Sequence, residues 1–433
     1  MNRYDVIIKD GTVVLETGEI KADIAIKDGK IAKIDEQIIF DNDSQIISAS
    51  GLHIFPGLID THVHFNEPGR TEWEGFETGS KSLAAGGVTT FFDMPLNSHP
   101  PTVTKLGFEA KDILASKKSI VDYKLWGGLV PQNLMDLEEL HTCGVIGFKA
   151  FMSNSGIEDF QAADDKTLFS GMKKIAALNS ILAVHAESDI ITEELGKVHG
   201  ADDGEAFSAS RPIYSELEAV NRILSYAEAT NCKVHIVHIS SSEVLQPILA
   251  ARQKGVDVSV ETCPHYLSLT VEDLNQLGAV AKCAPPLRSK TEMEGLWKAI
   301  KAGAIDIIGS DHSPSLESMK QGSLKEAWGG ISGCQSTLSL LLEEGYWQRE
   351  VPLSVIASIT SANPAKRFGL YPDKGTITVG SDADICLVDL KQKYTLTKEE
   401  LYYRNKQSPY IGKTFRGKVK QTILKGKAVF KDQ

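Results

Sequence analysis

Apolar and polar residues are patterned in two different ways along the 433-residue chain, and the change of pattern divides it. Over residues 4–35 they alternate singly, the period of half-buried strands, around Asp10-Gly11 and Asp28-Gly29, both hairpin-turn signals. The far end repeats this in Ala383-Asp-Ile-Cys-Leu-Val-Asp389 and again around Lys425-Gly426. Short strands at both termini predict one small β-sandwich assembled from residues 1–50 and 371–433. Between 51 and 370, apolar runs alternate with amphipathic stretches, as in successive βα units. The runs fall at 53–65, 88–95, 121–130, 145–152, 181–188, 233–240, 256–263 and 304–311. Helical periodicity follows most of them, at 104–117, 165–179, 213–229, 241–254 and 291–302, with Ser215-Glu-Leu-Glu218 reading as a capping box for the helix at 213–229. Eight such repeats predict an α/β fold closed into a (β/α)8 TIM barrel. An open doubly wound sheet would normally carry a Gly-rich dinucleotide fingerprint after its first strand, and this chain has none.

Composition narrows the class of function. A hydrophobic content of 42% and a charged content of 24% are those of an ordinary globular protein. The net charge of -11 argues against nucleic acid as the main partner, since phosphate binding needs a basic face. No apolar stretch reaches the roughly 18–20 residues of a membrane span. The opening Met1–Lys9 segment meets an acid and a lysine too early for a signal peptide. Six cysteines, at 143, 232, 263, 283, 334 and 386, include no Cys-x-x-Cys pair. They read as reduced thiols of a cytosolic protein and argue against a thiolate zinc site.

The chemistry is concentrated where the apolar runs end, the face on which barrel enzymes place their active sites. His62 and His64 stand two apart, so on a strand both imidazoles leave one face. Lys149 follows in the fourth run, His185 in the fifth, His238 in the sixth and Asp311 in the eighth. His235 is three residues from His238, which predicts opposite faces; His238, nearer the carboxyl end, is the candidate that faces inward. The remaining histidines, 53, 99, 141, 199, 265 and 312, read as structural or supporting, with His265 the one expected to line the pocket. Lys149, between Phe148 and Phe151, faces desolvation that disfavours its ammonium form. It can snorkel outward, form a Schiff base or react with carbon dioxide to give a carbamate; beside four histidines and an aspartate, the carbamate is favoured. Six nitrogen and oxygen ligands suit two divalent ions, zinc first, with cobalt, manganese, nickel or iron as alternatives. Two ions about 3.5–4 Å apart would share a hydroxide, and Asp311 would pass its proton to a leaving nitrogen. Hydrolysis of a carbon–nitrogen or ester bond is the matching reaction.

In this order the residues resemble the amidohydrolase superfamily, specifically its cyclic amidase branch of dihydroorotases, hydantoinases and allantoinases. The likeness spans the chain, through Pro56-Gly-Leu-Ile-Asp-Thr-His-Val-His64, Gly147-Phe-Lys149, Gly309-Ser-Asp-His312, Ser361-Ala-Asn-Pro-Ala365 and the Gly375–Asp384 segment. It implies that His62, His64, Lys149 as N6-carboxylysine, His185, His238 and Asp311 form the family's bimetal site, and that the protein is a homotetramer. Dihydroorotases usually carry an arginine two residues after the second histidine; here Asn66 stands there. Hydantoinases place a tyrosine where this chain has Asn154. The Asn66-Glu-Pro-Gly-Arg70, Trp73–Gly79 and Asp93-Met-Pro-Leu-Asn97 segments are similar to those of allantoinases. The resemblance thus implies a small-molecule substrate, allantoin, opened to allantoate, with a hydantoinase, dihydropyrimidinase or dihydroorotase activity as the alternative. Asn97, Asn154 and Ser332 are the candidate substrate contacts, with main chain around Lys282–Arg288 and Gly329–Gly333.

Overall fold

The computed structural model describes residues 3–39, 43–199 and 203–432. β1 (Val6–Leu15), β2 (Gly18–Lys27) and β3 (Lys30–Asp35) form an antiparallel meander, with β4 (Gln45–Ser48) and β5 (His53–Pro56) both parallel to β1. Asp28 and Gly29, at φ 52° and 75°, make the turn between β2 and β3. Asp10-Gly11 does not turn the chain. Asp10, at φ 61°, bulges inside β1, where the register against β2 slips between Ile8 and Gly11. A Cβ on Gly11 would lie 2.3 Å from the Ile54 side chain, so the glycine serves a close approach.

Among the described residues nine short strands build the barrel: β6 (Leu58–Val63), β7 (Val88–Asp93), β8 (Asp122–Leu125), β9 (Gly127–Gly128), β10 (Phe148–Phe151), β11 (Ile181–His185), β12 (Lys233–Ile236), β13 (Val258–Thr262) and β14 (Ile307–Ile308). Their ladders are parallel, in the runs β6-β7-β8 and β9 to β14. β8 and β9 are one stave interrupted at Trp126, so the count of staves is eight. The Ile146 amide donates to Leu125 O at 2.9 Å, and a parallel bridge joins Val63 to His312, which closes the ring. The 53–65 run, continuous in the sequence, is cut at Gly57: His53–Pro56 belongs to the terminal sheet and Leu58–Val63 to the barrel. A Cβ at Gly57 would come within 2.3 Å of Thr89.

Helices Lys105–Lys118, Asp165–Ala177, Ile213–Thr230, Leu245–Gln253 and Lys290–Lys301 lie where the periodicity places them. The capping box at Ser215 is not formed. Pro212 occupies the N-cap with no side-chain cap, and the Ser215 hydroxyl, inside the first turn, accepts the Ser188 amide at 2.9 Å instead. The serine is used to join this helix to the loop after β11.

β15 (Ile385–Thr395), β16 (Thr414–Leu424) and β17 (Lys427–Lys431) complete the terminal sheet in the order β17-β16-β15-β5-β1-β2-β3, with β4 beside β1. Ile31 N donates to Ser381 O and Ala383 N to Gly29 O, which draws the β3 edge towards the start of β15. The sheet thereby wraps an apolar cluster that includes Ile8, Ile24, Ile54, Ile385 and Ile423. Sheet and barrel meet at a charged junction. Lys374 Nζ lies 2.6 Å from Asp122 of β8 and 2.7 Å from Asp384, and Asp382 is 3.2 Å away. Lys374→Met would leave the buried Asp384 without its cation, while Asp122 keeps Lys425 and Asp382 keeps Lys30. The expected result is a loss of about 3 kcal/mol, read as a lower urea midpoint with unchanged slope; an unmoved midpoint would show that the junction contributes nothing.

Candidate metal centre

The inward row of the barrel can be followed through its register. Lys149 on β10 stands beside Ala183 on β11, Ala183 beside His235 on β12, and His235 beside Ser259 on β13. His235 therefore points into the barrel, contrary to the expectation from its spacing to His238. Both histidines face inward because β12 stops at Ile236 and His238 takes the left-handed φ of 40°. The same turn re-aims Asp311, at φ 45°, and Asn97, at φ 68°. Such conformations are uncommon for residues with a side chain and gather at functional sites.

At the carboxyl end of β6, Nε2 of His62 and Nε2 of His64 lie 3.2 and 3.3 Å from Asp311 Oδ1. Opposite them, His185 Nδ1 is 2.9 Å from His238 Nε2, and the His62 and His238 rings are 5.5 Å apart, centre to centre. Burial pushes His64 down to about 4 and lowers His185 and His238, so these imidazoles are neutral, the form that binds metal. For Asp311, burial alone would raise the carboxyl. His62 and His64 outweigh it and hold the group below the usual carboxylate range.

Lys149 does not snorkel. It is fully buried, its Nζ has no hydrogen-bond partner, and burial pushes its amine down to about 8. The charge of Lys149 acts on His64, His185, His238 and Asp311, which places it among them. A partnerless buried amine inside a ring of neutral imidazoles and one carboxylate fits a divalent-ion site, provided the nitrogen becomes an anion. His238 Nδ1 is likewise buried without a partner. The donor set, nitrogen and oxygen with no thiolate, suits zinc and its first-row neighbours.

The site opens into a cavity of about 380 Å³. Asn97 and Asn154 line it. The Asn97 side chain lies 3.4 Å from His64 Nδ1, while Asn154 Oδ1 accepts the Gly156 amide and closes a turn. Ser332 is not among the lining residues; it is buried, and its carbonyl accepts the Ser408 hydroxyl at 2.7 Å. The two main-chain stretches expected at the pocket do reach it, through Cys283, Ala284, Gly329 and Gly330. His265 lies beyond the wall rather than in it, with a ring nitrogen within 4.8 Å of an Asp311 oxygen.

The Amidohydrolase family model matches residues 53–429. The chain belongs to the amidohydrolase family. It is 48% identical over 432 residues to an allantoinase of Deinococcus radiodurans, covering 99% of this chain and 96% of that one. A Solibacter usitatus allantoinase is 47% identical, with 98% and 93% covered. Among solved structures, an L-hydantoinase (dihydropyrimidinase) from Arthrobacter aurescens superposes with TM-score 0.95 at 35% identity, covering 99% of this chain and 96% of that one.

In this amidohydrolase the sequence reading missed the groups that orient the histidines. His185 Nε2 lies 2.7 Å from Glu187, whose carboxylate also takes Arg211. His62 Nδ1 lies 2.9 Å from Glu261. Burial would raise the Glu261 carboxyl, yet hydrogen bonds from His235 and His62 hold it below its usual range. An acid inside the apolar 256–263 run was the available signal. Also missed was the roof over the cavity. Lys282 Nζ donates to Ala327 O, and Lys320 Nζ to the carbonyls of Trp328 and Gly330. Trp328 packs edge-on against Trp73 with ring centres 5.1 Å apart.

Proposed function

We propose that the protein hydrolyses allantoin to allantoate, opening a five-membered cyclic amide at a centre of two divalent metal ions. His62, His64, His185, His238, Asp311 and a carbamate on Lys149 would hold the ions, with zinc the first choice and cobalt, manganese, nickel or iron as alternatives. The observation that carries the substrate is the identity of 42–48% over nearly the whole chain to eight bacterial allantoinases. Asn154, where hydantoinases carry a tyrosine, supports the same choice.

Forming the carbamate joins the free Lys149 amine to the carbon of CO2 and releases one proton; burial supports it by keeping the amine readily deprotonated. Bound ions would polarise the substrate carbonyl and lower the pKa of a shared water from about 15.7 toward about 7. Asp311, ionised and beside both His62 and His64, is placed to take the proton of the attacking water and return it to the departing ring nitrogen. Main chain at Cys283, Ala284, Gly329 and Gly330 offers amide partners to an amide-rich ring. Ring opening leaves a carboxylate, and Lys282 on the cavity wall supplies positive charge for it. Asn97 and Ser332 remain proposed contributors to substrate binding, Asn97 from the wall and Ser332 from behind it. In the same reading the barrel, within residues 51–370, carries the chemistry, and the terminal sheet, drawn from residues 1–50 and 371–433 together with His53–Pro56, supports it.

The reading extends to a homotetramer in the cytosol. Six cysteines free of disulfides support the compartment. No helix among the described residues is long and apolar enough to cross a membrane.

The close match to the L-hydantoinase structure makes hydantoin hydrolysis the second reading. Metal-reconstituted protein assayed on allantoin, hydantoin, dihydrouracil and dihydroorotate separates them. Allantoin is expected to exceed each other substrate by at least about tenfold in kcat/KM, a difference of about 1.4 kcal/mol in transition-state binding. Faster turnover of hydantoin or dihydroorotate would replace the assignment.

A further inference from the structure

We propose that Glu261 is a positioning residue of the metal centre: its carboxylate, sunk in the barrel against His62, holds the Nδ1 side of the ring so that His62 offers Nε2 to a divalent ion. The inference rests on the metal-centre reading above and assigns a role to a residue that is not itself a ligand in that reading.

Glu261 on β13 is completely buried. One oxygen, Oε1, lies 2.9 Å from His62 Nδ1. The other accepts the Thr61 hydroxyl and lies 3.4 Å from His235 Nε2. A proton on His62 Nδ1 bridges to Oε1, which fixes the ring with its other nitrogen turned to the mouth of the barrel. That nitrogen, Nε2, stands 3.2 Å from Asp311 Oδ1, and its deprotonation leaves a lone pair facing the centre. His235 is oriented in turn, with Nδ1 2.8 Å from the Ser259 hydroxyl and Nε2 towards Glu261. Ser259, His235, Glu261 and His62 form one chain of hydrogen bonds running up the barrel interior to the mouth.

Two further observations mark the carboxylate as built for this place. The neighbouring strand is cleared for it: a Cβ on Gly309 would stand 2.6 Å from the Glu261 carboxyl carbon and from Oε2. The ion pairs of Glu261 are with His62 and His235, both imidazoles. Glu187, which orients His185, is instead neutralised by the Arg211 guanidinium. A buried carboxylate partnered this way directs its charge at the imidazole it orients. Such partners commonly change metal affinity by about 10–100-fold.

The test uses full-length protein labelled with 15N in its histidines, stripped of metal, beside the Glu261→Gln variant. In the parent, the His62 Nδ1 signal, assigned by its loss in His62→Asn, is expected to report a hydrogen-bonded proton; in E261Q it is expected to shift. Zn2+ titration of the two is expected to show about 10–100-fold weaker binding in the variant, with matching urea midpoints for the metal-free forms. Thr61→Val, which removes a donor to the same carboxylate and leaves every proposed ligand in place, should weaken Zn2+ by a smaller factor and stands in if E261Q does not fold. Identical His62 spectra and identical Zn2+ affinities in parent and variants overturn the positioning role while leaving the metal centre intact. A parent that binds no divalent ion overturns the metal reading and this proposal together.

Discussion

Lys149→Met is expected to yield a folded protein that retains no divalent ion and hydrolyses allantoin at least about 10³-fold more slowly than the parent. The bound is conservative, because removing a single electrostatic donor from an active site already costs about 10²–10³ in rate, and this substitution removes one of the residues that would hold the ions. Metal loss can be told from misfolding through the energetics of the amine. Lys149 Nζ is buried without a hydrogen-bond partner, and burial has pushed it down to about 8. A polar group sealed from water without a partner costs about 1–3 kcal/mol. Methionine fills a similar volume without that penalty. Metal-free Lys149→Met should therefore unfold no earlier in urea than the metal-free parent, and later if the cost is recovered in full. Lys149→Ala, which leaves space beside Phe151, should regain part of its metal and activity when a short-chain carboxylic acid is supplied. Elemental analysis showing parental metal content in either variant would remove the carbamate from the reading.

The ligands were legible because each needs only a position on a period-two element. His62 and His64 leave one face because alternation survives the single step past the end of β6 at Val63, and runs carrying His185 and Asp311 already say which end of the barrel is in use. What could not be read depends on where a strand stops. His235 and His238 are three apart, and alternation puts them on opposite faces only while the strand lasts. β12 ends at Ile236, and a left-handed residue undoes the rule. The apolar run at 53–65 hides a change of sheet for a similar reason: Gly57 passes against Thr89, and hydropathy does not record a close approach. Asp10-Gly11 and Asp28-Gly29 look alike as dipeptides. One bulges and the other turns, because Gly11 packs on Ile54 from another strand whereas Gly29 sits at a hairpin end. The neighbours of Ser215 fit a cap, but the contact it makes, to Ser188, lies 27 residues away. Glu261 is marked only as an acid within an apolar run; its partners Thr61, His62 and His235 are distant in sequence, so the role of that acid is not legible from the run.

Asp311→Asn is the second large effect, and it should separate proton transfer from metal binding. The substitution keeps the side chain's shape and one coordinating oxygen but removes the charge and the proton acceptor. It is expected to lower kcat by about 10²–10⁴-fold, the usual contribution of a positioned acid–base group, with KM for allantoin changed little and bound metal largely retained. A group used only in the transition state affects kcat and kcat/KM alike. The parent's pH profile gives the same role from another side. His62 and His64 outweigh burial and hold Asp311 below the usual carboxylate range, so its ionised form persists as the pH falls. Activity that needs this base is then present above that depressed value and lost only as the pH drops through it, so the acid limb at neutral and mildly acidic pH should report other groups. Removing Asp311 would accordingly lower the whole profile without moving that limb. An Asp311→Asn protein that retained kcat within about threefold of the parent, less than 1 kcal/mol of barrier, would take the proton away from Asp311; the two buried carboxyls that orient the histidines, Glu187 and Glu261, are held by Arg211 and His62 and are not free to carry it.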